Sequence, residues 1–286
     1  MYYKILLVRY AMAGSMNGYS EERDKNAMDG LKEYNYHIAL ITVTETEETG
    51  LRHMYRDWKP LLLEGDDQIY YEASFERNGK THKVITARQR EMGMAAAGVL
   101  TMKMIQIFRP KYVIMVGIAA GIAYKKAVDQ IYGDVVVPDV VWDYSSGKFV
   151  ASQCAPVSFG GVGFIPRPHV VNTDETMLEA VARAMESNEN ECHVHIGPMA
   201  CGSTVVANSE IVEKQVHSQY GNTAALDMES YAVMYAVKEA PVPKPKGLVI
   251  KSVCDYANEE KSDQYQKFAA YTSAQFAKLL YEKFLP

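Results

Sequence analysis

"GLVIKSVCDYAN", residues 247–258, begins as an unbroken apolar run and ends on an acid followed by turn-forming residues. Gly247–Cys254 reads as a strand buried on both faces, and Asp255 stands just past it, where open α/β sheets place their ligands, outside the carboxyl ends of strands. Asp is also a good N-cap and turn former, and spacing alone leaves both readings open.

The neighbouring sequence follows the same alternation. Upstream, "HIALITV" (residues 37–43) reads as a buried strand, "ETEETGLRHMYRDW" as a helix, and "IYYEASFE" and "KTHKVITAR" as two strands joined through "RNG", a hairpin turn. A long helix, "EMGMAAAGVLTMKMIQIF", stops before Pro110, and the strands "KYVIMVGI" and "GDVVVPDVVW" follow. "SFGGVGFIPRP" (residues 158–168) is rich in Gly and Pro and is expected to be a mobile loop or insertion. Then come helix "DETMLEAVARAMES", strand "HVHIGPMAC" and helix "SEIVEKQVHSQ". A closing amphipathic helix follows Asp255, with Phe268, Phe276, Leu279 and Leu280 along one side. Strands alternating with helices predict a single α/β domain, residues 37–286, with a central mixed β-sheet flanked by helices. Residues 1–36, which open on a strand-like "YYKILLV" and continue through polar sequence, are expected to be an extension.

Composition narrows the class of function. The 286 residues are 48% hydrophobic, enough for a sizeable core, and carry 30 basic against 35 acidic residues with no block of like charge. Neither a nucleic-acid groove nor a polybasic membrane patch is marked, so the expected partner is a small molecule. The longest apolar run, residues 112–124, is short of the roughly 20 residues a spanning helix needs, and no signal peptide is seen. Four scattered cysteines without a CxxC fit a reducing, cytoplasmic compartment.

One residue does not fit its surroundings. "ALDMESYAVMYAVKEA" (residues 225–240) reads as a buried helix, and Glu229 lies among Met228, Tyr231, Ala232 and Val233. Helix-dipole stabilisation of about 0.3–1 kcal/mol accounts for an exposed Glu, not for one in apolar company. "TETEE" (residues 44–48) supplies three acids after a strand, which also suits a solvated first helical turn. "VGIAAGI" (residues 116–122) ends a strand in small residues that let the backbone approach a flat ligand, but it is neither GxGxxG nor a P-loop. "GSTV" lacks the GxSxG elbow. His193 and His195 in "CHVH" share a strand face without a further ligand pair nearby, so neither a metal nor a cofactor is expected.

"VGIAAGI" followed by "GDVVV", then "ACGSTVV", "LDMESYAV" and "KSVCDYAN", in that order, resembles the nucleoside phosphorylase and nucleosidase superfamily, most of all its methylthioadenosine/S-adenosylhomocysteine nucleosidase branch. The resemblance runs from about Ile38 to Leu280. It implies cleavage of an N-glycosidic bond to a purine through an oxocarbenium-like sugar. Asp255 falls at the family's general acid, which protonates purine N7 and must carry a proton to do so; Cys254 stands in for the usual serine. Met228 and Glu229 match the pair under the ribose, with Glu229 bonding the 2′-hydroxyl and facing the developing positive charge. Glu47 falls at the carboxylate that activates water, in a register that Glu45 or Glu48 could also fill. Val205 and Val206 resemble the backbone that grips the purine edge, and Ala119 and Ala120 line the same cleft. An Asp at the acid position favours adenine. Where phosphorylases hold phosphate with Arg and Ser, this chain has Met115 and Ile118, which favours water as nucleophile. Lys251 replaces an Arg, keeping charge but losing bidentate geometry.

The resemblance thus implies a purine nucleosidase acting on adenosine, methylthioadenosine, AMP or ATP, with a phosphate-dependent phosphorylase or an idle nucleoside-binding sensor as alternatives, and a homo-oligomer. Arg88 and Arg90 in "ARQREMG" precede a helix N-terminus; they read either as a seat for a 5′-phosphate or as surface arginines.

Overall fold

The computed structural model describes residues 33–55, 57–122, 130–159 and 162–286. Nearly all of the expected N-terminal extension, residues 1–36, lies outside them, and residues 34–286 form one compact unit. Strands β1 (Tyr36–Thr42), β2 (Lys59–Leu63), β3 (Asp66–Arg77), β4 (Lys80–Arg88) and β5 (Pro110–Gly121) come first, with helices α1 (Glu45–Arg52) and α2 (Met94–Phe108) among them. Strands β6 (Val135–Val137), β7 (Val140–Asp143), β8 (Gly147–Ala151), β9 (Val157–Phe159), β10 (Val162–Pro166) and β11 (Val170–Asn172) follow, then helix α3 (Glu175–Met185). The chain closes through β12 (Val194–Ile196), β13 (Met199–Cys201), β14 (Ala225–Asp227), helix α4 (Ser230–Lys238), β15 (Lys246–Asp255) and helix α5 (Gln266–Leu279).

β5 is the axis of a 12-stranded mixed sheet. It pairs in parallel with β1 on one edge and β15 on the other, so Met115 stands opposite both Ile41 and Val249. β4 adds to β1 in parallel, and the antiparallel β3 and β2 complete that side. Side chains alternate between two cores, as the period of a strand requires. Ile38, Leu40, Ile114, Val116, Leu248 and Ile250 face α3 and α5, whereas Ala39, Ile41, Val113, Met115 and Val249 face α2 and α4. Helices therefore cover both faces of the parallel strands, which is why these strands read as continuous apolar runs.

Several expectations need correction. "GDVVVPDVVW" and "HVHIGPMAC" are each two strands, broken at Pro138 and at Gly197–Pro198. Proline has no N–H to give a ladder, and after the break the two halves find different partners. "SFGGVGFIPRP" is not a bare loop: β9 and β10 form an antiparallel hairpin that β8 extends into a small second sheet. In "ALDMESYAV" the first three residues are strand β14, and Glu229 is the residue before α4 rather than inside it. Phe268 is half exposed, off the buried side of α5 that holds Phe276. The "RNG" hairpin is as expected, with Asn78 and Gly79 both at positive φ (53° and 70°), the backbone of a type I′ turn.

Candidate active site

The carboxyl ends of β1, β5, β13 and β15 open onto one cavity of about 310 Å³, in the size range of small-ligand sites. Asp255, Glu47, Glu229, Met228, Val205, Val206, Ala119, Ala120 and Lys251 all border it. Arg88 and Arg90 do not. They line a separate depression with Asp67 and Gln68, and the Arg88 Nε donates to Glu48 Oε2 at 2.9 Å. β4 ends one strand beyond β1, so its last residue is carried away from the cavity. Met115 also lies off the cavity, packed in the core, whereas Ile118 borders it.

Of the three acids of "TETEE", Glu47 is the one that borders the cavity. Glu45 is exposed and Glu48 pairs with Arg88, but Glu47 is 2% exposed. Thr44 caps α1, and Glu47, three residues on, returns its carboxylate in a reciprocal capping box. Its Oε2 accepts from the Val43 and Thr44 N–H groups at 2.7 and 2.8 Å, and its Oε1 from the Ile118 N–H at 2.8 Å. Gly117 makes the room: a Cβ there would lie 1.9 Å from Glu47 Oε1. The small residues of "VGIAAGI" thus serve a carboxylate as well as a cavity wall.

Lys251 lies wholly buried behind Glu47, its Nζ 3.4 Å from Glu47 Oε1 and 3.9 Å from Asp227 Oδ2. Burial alone would lower this ammonium, but Glu47, Asp227 and Glu229 together hold it above the usual lysine range. One cation thus serves three buried carboxylates. The cost falls on the acids. Burial pushes the Asp227 carboxyl up despite Lys251 and the hydrogen bonds from Ser230. Burial likewise pushes Glu229 up to about 7, against the pull of Lys251 and of the Gly93 N–H, which donates to its Oε1 at 2.7 Å. Gly93 is the residue before α2, so Glu229 takes one of that helix's unpaired N–H groups.

Asp255 is reached through a β-bulge. The register of β15 against β5 shifts between Val253 and Asp255. Strict alternation would turn Cys254 and Asp255 to opposite faces, yet both border the cavity, because the extra residue re-aims the strand end. Asp255 Oδ1 accepts from the Ala257 N–H at 2.9 Å, an Asx-type turn that holds Ala257 at a positive φ of 51°. The Cys254 thiol, pushed up by burial and by Asp255, keeps its proton and donates to Asp255 Oδ2 at 3.3 Å. The residue missed in the sequence is Lys261, whose Nζ donates to the same Oδ2 from the cavity mouth. A cation six residues past the acid carries no signal that distinguishes it from a solvated lysine.

Away from the cavity, the Asp134 carboxylate lies against both His193 and His195.

The profile of the phosphorylase superfamily matches residues 65–285. The chain belongs to the phosphorylase superfamily. It is similar to the uncharacterized protein y4jS of Sinorhizobium fredii, 34% identical over 77% of this chain and 54% of that protein. It also resembles the 5′-methylthioadenosine/S-adenosylhomocysteine nucleosidase of Staphylococcus epidermidis (24% identical; 86% and 99% covered). A third relative is the death domain-containing ATP nucleosidase of Amphimedon queenslandica (24%; 91% and 50%). The chain spans about half the length of the first and third of these and nearly all of the second. Among solved structures, the Neisseria meningitidis methylthioadenosine/S-adenosylhomocysteine nucleosidase bound to methylthio-immucillin-A shares the fold, with a TM-score of 0.67, 24% identity, and 85% and 97% of the two chains covered. Among the described residues no helix is long and apolar enough to cross a membrane.

Proposed function

We propose that this chain is a purine nucleosidase that hydrolyses the N-glycosidic bond of an adenine nucleoside or nucleotide. The observation that carries the reading is the convergence of Asp255, Glu229 and Glu47 on one cavity whose other walls, Ala119, Ala120, Val206 and Met228, are small or apolar. Adenine lies between these walls with N7 toward Asp255. As the C1′–N9 bond breaks, its electron pair passes to the purine and N7 takes the proton from Asp255. Lys261, an ammonium on the same oxygen and partly open to solvent, is the counter-ion of the carboxylate that this leaves, and the next proton comes from water at the cavity mouth. Glu229, ionised, accepts from the 2′-hydroxyl and faces the positive sugar, and Glu47 takes a proton from the water that attacks C1′. The backbone bonds and Lys251 keep Glu47 in place for that step.

Water is the nucleophile in this reading. No arginine borders the cavity among the described residues, and the Met115 side chain is in the core. Two observations bear on the 5′ substituent. Five carboxylates and two lysines border the described cavity, and this negative excess favours a substrate whose 5′ group is uncharged. The ATP nucleosidase relative, which aligns with 91% of the chain, supports a nucleotide.

Incubation with adenosine, methylthioadenosine, AMP and ATP in phosphate-free buffer, with free adenine followed by chromatography, tests the reading. Adenine release from at least one is expected. Turnover only after phosphate is added would identify a phosphorylase, and binding without turnover of any of the four would identify a sensor.

A further inference from the structure

We propose that Asp134, His193 and His195 form a binding site for a divalent transition-metal ion of the zinc class, at the start of the parallel strand pair β6–β12. Asp134 directly precedes β6, and His193 and His195 flank Val194, which stands opposite Val135. The parallel register therefore brings a carboxylate beside two imidazoles that strand alternation has already turned to one side. Asp134 Oδ2 is 3.1 Å from His193 Nδ1 and 2.8 Å from His195 Nε2, and the three atoms lie within 4.8 Å of one another. Ligand atoms at about 2.0–2.1 Å from a tetrahedral zinc ion stand about 3.3 Å apart, so sub-ångström side-chain shifts would complete the geometry. The two rings meet at 70° with centroids 4.4 Å apart, and so address a shared point from different directions.

Two imidazole nitrogens and one carboxylate oxygen suit a borderline ion such as Zn²⁺ better than the hard cations Mg²⁺ or Ca²⁺, which take oxygen. The surroundings are graded as a metal site requires. The Asp134 side chain is 4% exposed, that of His195 13% and that of His193 55%, which leaves an entry path and a solvent-facing position for a water ligand. Behind the carboxylate, the Ile131 N–H donates to Oδ2 at 3.1 Å and fixes its orientation. The site also reaches β15. The Val253 N–H donates to the Asp134 carbonyl and the Gly133 N–H to the Val253 carbonyl, both at 2.9 Å, two residues before Asp255. An ion here would brace from behind the bulge that aims the acid.

Zinc titration of the chelator-treated full chain against a chromophoric competitor, followed by X-ray absorption at the zinc edge, tests the proposal. One equivalent is expected, with two imidazoles in the first shell, and with a rise in melting temperature on loading. His193→Ala, at an exposed ring, leaves the fold intact and should weaken binding at least 100-fold, since even outer-shell losses cost about 10–100-fold; His195→Ala should do the same. Absence of stoichiometric zinc, binding that survives both substitutions, or sulfur in the first shell would overturn the assignment.

Discussion

Replacing Glu229 by Gln should stabilise the fold while removing its activity. Burial raises the Glu229 carboxyl from 4.5 to about 7, with Lys251 and the Gly93 N–H pulling it down and Asp227 and Glu47 pushing it up. The folded chain thus binds this proton more tightly than the unfolded chain, and its stability falls as pH rises through the interval between those two values. At about 1.4 kcal/mol per pH unit, the penalty is about 1 kcal/mol at pH 5 and about 3 kcal/mol at pH 8. A neutral amide in the same place carries no such penalty, and its oxygen can still accept from Gly93. Lys251 keeps two carboxylate partners, Glu47 and Asp227. Urea unfolding should therefore separate the variant from the parent by about 2–3 kcal/mol more at pH 8 than near pH 4.5, where the carboxyl is largely protonated in the folded state. Adenine release should fall by about 10²–10³, the scale for losing one preorganised electrostatic group. A variant no more stable than the parent at pH 8 would show that the Glu229 charge is not held against its own solvation, and the account of the site would fail.

Three further substitutions probe the other groups. Asp255→Asn should lower turnover by about 10²–10⁴ while calorimetric binding of the nucleoside persists, and undiminished turnover would remove Asp255 as the acid. Gly117→Ala places a methyl group 1.9 Å from Glu47 Oε1 and 3.0 Å from Lys251 Nζ, so the carboxylate must move. Circular dichroism should show the fold retained and kcat lowered by about 10², the scale of a 1 Å misplacement; normal kcat would separate Glu47 from the attacking water. Lys261→Met should slow single-turnover adenine release by about tenfold or more, since the carboxylate formed as Asp255 gives up its proton loses its counter-ion, and an unchanged rate would show that this pairing does not serve the step.

Much of the fold can be read because the strands that matter most are buried on both faces. β1, β5 and β15 appear in the sequence as apolar runs, and the hairpin announces itself through Asn78–Gly79. The short strands β6, β7, β12 and β13 merge in pairs on a reading of sequence, since three or four residues are too few to show a period and only tertiary pairing separates them. β14 disappears into a helix for the same reason. In the site, Glu229 is legible as a charge in the wrong company, and Asp255 as an acid at a strand end. Glu47 comes from family resemblance, and its burial and place on the cavity show only in the fold. Lys261 and Asp134 act through neighbours that only the folded chain supplies. Arg88 and Arg90 look plausible beside a helix start, but the strand order carries them one position too far across the sheet.

The placing of β5 between β1 and β15 makes the sheet a gauge. Glu47 follows one flanking strand and Asp255 ends the other, so two interstrand spacings, about 9–10 Å, set the lateral distance between their backbones. The span a reacting molecule must bridge is thus written into main-chain hydrogen bonds, and side-chain exchange at the rim can alter what enters without altering that width.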